Sequence, residues 1–348
     1  MRKTTQFSGL IKKLLSIKIK IPVVILLASA QLASARDHVR IIEFYGYKGI
    51  DVEAVRKALP LQEGDAYSRE TDQQVRKVVK RIVGREATYV GALCCDDQGD
   101  SVLFIGLPGE SSMNFVYNPE PKGTMQQLSK KITALDNQLS EAVAAAVHKG
   151  GDAAQEDDSN GYALLKDPTA HALQLAVREY ALQHKDELLR VLKSSSDSEE
   201  RAMAADALGY GDQSQEQISA LVWASRDPEE TVRNNATRAL AVLASSKPEA
   251  ASQIPPEPFV AMLRSGIWTD RNKASMMLSV LTRSRDRKLL AQIRAQALDA
   301  LVEMAQWRDL GHAFFAKIIL ARLAGIPEER MPEVAPGPVQ VILDALKH

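Results

Sequence analysis

Asp227-Pro228-Glu229-Glu230-Thr231-Val232-Arg233-Asn234-Asn235-Ala236-Thr237-Arg238-Ala239-Leu240 is the stretch on which the fold turns. Asp227 is a good N-cap, Pro228 suits the first helical position because its missing N–H costs nothing there, and Glu230 falls where a capping box wants a carboxylate. From there Val232, Ala236, Ala239, Leu240 and Leu243 line one face at a 3.6-residue period, which predicts an amphipathic helix. The alanines on that stripe allow close approach of a neighbouring helix.

Partial copies of the pattern recur along the chain, which is the signature of stacked repeats. Arg201-Ala202-Met203-Ala204-Ala205-Asp206-Ala207-Leu208 repeats Arg233 to Leu240 at the arginine, two alanines and the leucine. Arg271, Ala274, Met277 and Leu278 follow more loosely, then Ala316, Ile319 and Leu320. The marker leucines at 208, 240, 278 and 320 stand about one helical hairpin apart. The acidic-Pro opening, the Val-Arg step and the Ala-x-x-Ala-Leu core resemble the second helix of bacterial HEAT repeats, over residues 165–348. That resemblance implies an α-solenoid. Each of its hairpins buries its stripe only against its neighbours, so the ends need capping. Arg201, Arg233 and Arg271 recur in register. They form either a ladder pairing with acids of adjacent repeats or a ridge facing a ligand; Arg238, on the central helix, joins them as a candidate interaction residue.

Upstream, residues 37–110 read as strand, helix, helix, strand, strand. Val39 to Tyr45 is rich in strand formers, helices follow Asp51 and Ser68, and Ala87–Cys95 and Ser101–Leu107 flank a turn-rich Asp96-Asp97-Gln98-Gly99-Asp100. Ile42, Gly46, Gly64, Asp65, Tyr67 and Ser68 give the unit a resemblance to a POTRA domain. The resemblance implies a small α+β domain that binds polypeptide in a cell envelope, often by adding a strand to a sheet edge. The fold expected is therefore multidomain: a POTRA-like α+β domain followed by an all-α HEAT-like solenoid.

Residues 111–164 are expected to connect the two. Pro119, Pro121 and Gly123 mark a linker, and Leu128, Ile132, Leu135, Leu139 and Val143 mark a helix that either caps the solenoid or pairs with another chain. Residues 149–160, polar and acidic with glycines, are expected to form a flexible or exposed loop.

Residues 1–35 carry six basic residues and no acid, an apolar run from Ile21 to Ala30, and Ala33-Ser34-Ala35, which is the grammar of a secretory signal peptide. Export to a periplasm or secretion is expected, with an uncleaved N-terminal anchor as the alternative. Removing those six basics from 44 leaves 38 against 44 acids, a mildly acidic mature chain. Such a surface excludes the basic footprint that phosphate contacts require, so no nucleic-acid partner is expected. Cys94 and Cys95 provide no disulfide framework; on a strand one would be buried and the other would not, with an intermolecular disulfide as the alternative.

His38, His148, His171, His184, His312 and His348 show no metal-ligand spacing, and no nucleophile elbow or phosphate loop is present. Neither catalytic residues, cofactors nor metals are expected. The functional expectation is an exported, non-enzymatic scaffold binding polypeptide partners through its repeats. The alternatives are an envelope-assembly factor acting through the N-terminal unit and an enzyme whose site is dispersed.

Overall fold

The computed structural model describes residues 38–93, 101–113 and 115–347. The signal-peptide reading and the two cysteines lie outside the described residues.

The N-terminal unit is built from β1 (Val39–Tyr45), α1 (Val52–Ala58), α2 (Arg69–Val83), β2 (Tyr89–Leu93) and β3 (Ser101–Gly106). Both helices start where their caps stand: Asp51 accepts the Ala54 N–H at 3.0 Å and Ser68 accepts that of Thr71 at 3.2 Å. The sheet order is β1-β3-β2, with β3 parallel to β1 and antiparallel to β2. Alternation along the strands gives the sheet two apolar faces. Ile42, Phe44, Leu103 and Ile105 pack beneath the two helices with Val55, Val75 and Val79, whereas Ile41, Tyr45, Val102 and Phe104 belong to the core of the helical repeats. Helix α2 presents only Val75 and Val79 squarely to the sheet, and Ile82, near its end, is 42% exposed.

Helix α3 (Lys130–Lys149) packs on α4 (Pro168–Gln183) as a solenoid cap within the chain. The expected loose loop between them contains a 3-10 turn (Gly151–Ala154) and a short ladder of β4 (Glu156–Asp157) and β5 (Leu164–Leu165). Its acidic residues are less free than composition suggests, because Glu156 pairs with Arg238.

Four helical hairpins follow among the described residues: α5 (Lys185–Ser194) with α6 (Ser198–Leu208), α7 (Gln215–Ala224) with α8 (Glu230–Ser246), α10 (Glu257–Met262) with α11 (Trp268–Leu281), and α12 (Arg287–Ala305) with α13 (Leu310–Leu323). A short α9 (Pro248–Ala251) follows α8, and α14 (Met331–Val334) and α15 (Val339–Ala345) close the end. The second helices stack in the order α6, α8, α11, α13. The marker leucines Leu208, Leu240, Leu278 and Leu320 are fully buried in this row, as are Val232, Ala236 and Leu240 of the opening stretch.

Helix α8 starts at Glu230, with Glu229 at the N-cap, two residues later than its sequence suggests. The Asp227 carboxylate is taken by Arg201, and one of its oxygens also accepts the Glu229 N–H at 2.8 Å, which holds residues 227–229 in a turn. No helix among the described residues is long and apolar enough to cross a membrane.

Candidate functional site: an arginine ladder beneath an extended strap

Arg201, Arg233 and Arg271 are each the fourth residue of a second helix, so the repeat places them at the same rim, above the turn joining the two helices of a hairpin. Each guanidinium donates to the carbonyl six residues back: Arg201 to Ser195 at 3.0 Å, Arg233 to Asp227 at 2.8 Å, Arg271 to Ser265 at 2.7 Å. Each also pairs with an acid of the next hairpin. Arg201 meets Asp227 through two 2.9 Å bonds, Arg233 meets Asp270 at 2.8 and 3.2 Å, and Arg271 meets Glu303 at 3.3 Å. The arginines are at most 2% exposed, so these are desolvated ion pairs whose backbone bonds satisfy the remaining donors. The fourth residue of α13 is Ala313, and the ladder stops there.

Over this rim runs the segment read as a connector. From the sheet it passes the third, second and first hairpins in turn before entering α3. The Met113 N–H donates to Arg264 O at 2.8 Å and Arg271 donates to Ser111 O at 2.8 Å. At the second hairpin, the Asn118 N–H reaches Arg226 O at 2.6 Å, its side-chain amide reaches Trp223 O at 2.7 Å, and Arg226 donates to Val116 O at 3.2 Å. The Tyr117 ring lies 4.5 Å from the Arg233 guanidinium, a cation–π contact, and Glu120 stands 3.7 Å from Arg201. At the first hairpin Gln126 exchanges hydrogen bonds with the Ser195 hydroxyl at 3.1 and 2.8 Å. The ladder thus bears on the next repeat with its acids and on an extended peptide with its outer face.

The same rim anchors the N-terminal unit. Glu303, 4% exposed, accepts the N–H groups of Gly46, Tyr47 and Lys48 at 2.6, 3.0 and 3.1 Å, together with the Ser111 hydroxyl. Gly46 has φ 71°, and a Cβ there would sit 2.3 Å from Leu107 O, so glycine is required to shape this nest. Trp307 donates to Phe44 O at 3.0 Å, and Phe104 packs against Trp268 and Trp307 with ring centroids at 4.9 and 5.0 Å. Glu43 accepts the Arg308 N–H at 2.6 Å, and burial raises its pKa to about 7.

Arg238 lies apart from the ladder. It pairs with Glu156 of β4, close to Asp206 and Lys273. Burial raises Asp136 to about 7, with Asp206 adding repulsion, and lowers Lys273 to about 8. These groups come from α3, α6, α8, α11 and β4, but the cavity among them that Asp206, Tyr210, Asn235 and Arg238 line measures about 10 Å³, room for little more than a water. Among the described residues no group of His, Cys, Asp and Glu is arranged to hold a metal.

Of the four arginines singled out from the sequence, three are brought together in register and Arg238 is not. Sequence reasoning missed Asp227 as an ion-pair partner, Asp270, Glu303 and the whole strap. Only the Pro and Gly content of residues 108–123 signalled an extended path.

The chain is a helical-repeat protein: a mostly helical, solenoid-like fold with a small strand-containing unit at its N-terminal side. Residues 186–254, which span α5 to α9, match the HEAT repeats family model. Among solved structures the chain is similar to an engineered protein at 20% identity, covering 63% of this chain and 95% of that one with a TM-score of 0.38. It is also similar to a designed armadillo repeat protein at 18% identity, over 63% and 94%, with a TM-score of 0.40. A further designed armadillo repeat protein, in complex with the peptide (KR)4, is 17% identical over 52% and 94%, with a TM-score of 0.38. No curated protein matches the chain.

Proposed function

We propose that this protein is an exported, non-enzymatic scaffold whose repeats bind extended polypeptide. One observation carries the reading. The solenoid already holds a peptide, its own strap, across three successive hairpins, with main-chain bonds to the rim and an arginine under the Tyr117 ring. Main-chain contacts give such a track affinity with little regard to sequence, while the ring and amide contacts give it selectivity. Export rests on the basic, apolar and small-residue sequence of residues 1–35.

The second reading, an envelope-assembly factor acting through a POTRA-like unit, is favoured by the strand-helix-helix-strand-strand order, the β1-β3-β2 sheet and the Gly64-Asp65-Ala66-Tyr67-Ser68 joint. With the open sheet face packed on the repeats, that unit would bind through the outer edge of β2. Crosslinking of tagged mature protein in its native envelope, followed by identification of the adducts, tests both. Specific polypeptide adducts at the repeat rim support the scaffold, adducts confined to β2 support the second reading, and repeated absence of any adduct contradicts both.

A further inference from the structure

We infer that residues 115–126 are an internal ligand: the strap occupies a track built to take an extended segment of another polypeptide carrying an aromatic-Asn pair followed by an acid. This rests on the scaffold reading and names the partner chemistry and the regulation of that site. The track runs over the turns of the first two hairpins. At one end the Arg226 and Trp223 carbonyls accept the backbone and side-chain N–H groups of Asn118 while the Arg226 guanidinium donates to the Val116 carbonyl; at the other the Ser194 and Ser195 hydroxyls and Arg190 read Gln126, at 2.8 to 3.1 Å. Between these anchors Arg233 faces the Tyr117 ring and Arg201 faces Glu120.

The segment lies on this track rather than in the core. Val116 is 68% exposed, Tyr117 37% and Met125 60%, and the Glu120 side chain is 71% exposed. Only Phe115, at 8%, is inserted, at the end nearest the sheet. Beneath it each ladder arginine is already paired with an acid and a carbonyl, so lifting residues 116–127 leaves no buried charge without a partner. What is lost is a handful of hydrogen bonds at half-buried groups, worth about 1 kcal/mol each, offset by the restored freedom of a dozen residues. Pro119, Pro121 and Gly123 give the segment no sheet or helix of its own to defend. Charge and ring complementarity set the occupant, because Arg201 and Arg233 turn their outer faces to one acid and one aromatic ring.

A tethered ligand competes at an effective concentration in the millimolar range, so an incoming peptide sees the track only when the strap is weakened or the peptide is abundant. The test uses the full mature chain with Asn118→Ala and Gln126→Ala, and a fluorescent peptide of residues 115–126. Binding by anisotropy is expected to be at least tenfold tighter to the variant than to the natural chain. It should weaken at least tenfold when the peptide carries the same two substitutions, and again when Arg226→Ala is added to the protein. Equal or absent binding to a variant whose melting and circular dichroism are native overturns the inference. A second measurement covers a variant that fails to fold: millimolar peptide added to the natural chain should raise deuterium uptake in residues 116–127, a scrambled peptide should not, and no increase overturns the inference equally. A peptide that fails here while envelope partners crosslink elsewhere on the repeats sinks this inference alone.

Discussion

At the scale of single residues, Arg233 is the middle rung of the ladder and joins three things: the turn before its own helix, Asp270 of the next hairpin, and the Tyr117 ring of the strap. Removing it leaves Asp270 buried and without its cation, so Arg233→Ala should cost about 3–5 kcal/mol in chemical denaturation. Arg233→Met with Asp270→Leu should recover most of that loss. Glu43 offers a pH test. Its folded pKa of about 7 exceeds the ordinary 4.5, so between those values the folded chain holds a proton the unfolded chain has released. Its contribution is fully present below 4.5 and is lost as pH rises through about 7. Glu43→Gln, which still accepts the Arg308 N–H, should flatten the fall in unfolding free energy between pH 5 and 8; an unchanged slope contradicts the assignment. The arginines were legible in the sequence because they sit at one register of a repeated pattern. Their partners were not, since the acids lie 26, 37 and 32 residues onward, on two different kinds of element.

At the scale of elements, the stripe from Val232 to Leu243 announced α8, and the same period announced the other second helices, because burial of one face is a local, periodic signal. The start of α8 lies two residues beyond the one its sequence suggests, since a long-range ion pair outbid the local cap for Asp227. The strap was invisible for a related reason: an extended segment whose hydrogen bonds go to another element has no period of its own. Gly46 sits where the strand β1 hands its backbone to Glu303. Gly46→Ala there combines a left-handed backbone with a Cβ 2.3 Å from Leu107 O, and should cost about 2 kcal/mol or more by thermal melting. A loss below 0.5 kcal/mol, the level of an ordinary surface change, would contradict the nest.

At the scale of the whole molecule, the N-terminal sheet is half in its own core and half in that of the solenoid. Ile41, Tyr45, Val102 and Phe104 join Trp268 and Trp307 in one continuous cluster. Deleting residues 37–110 should therefore leave the third and fourth hairpins helical but loosely packed, with dye-binding apolar surface and a weakened near-ultraviolet signal. Repeats that keep native near-ultraviolet ellipticity and bind no dye would show the sheet to be dispensable. Composition and periodicity announced two units; that they share a core was hidden, because which face of a sheet meets which helix is decided by contacts more than 200 residues apart.

Hydrogen exchange read by mass spectrometry across the full chain tests the central claim most directly. A rigid ladder carrying a loosely seated peptide predicts that amides of residues 116–127 exchange on the order of 100-fold faster than those of α8 and α11, while the strap stays native in position. Protection of the strap equal to that of α8 would make it part of the core, and the picture of a track with an exchangeable occupant would be wrong.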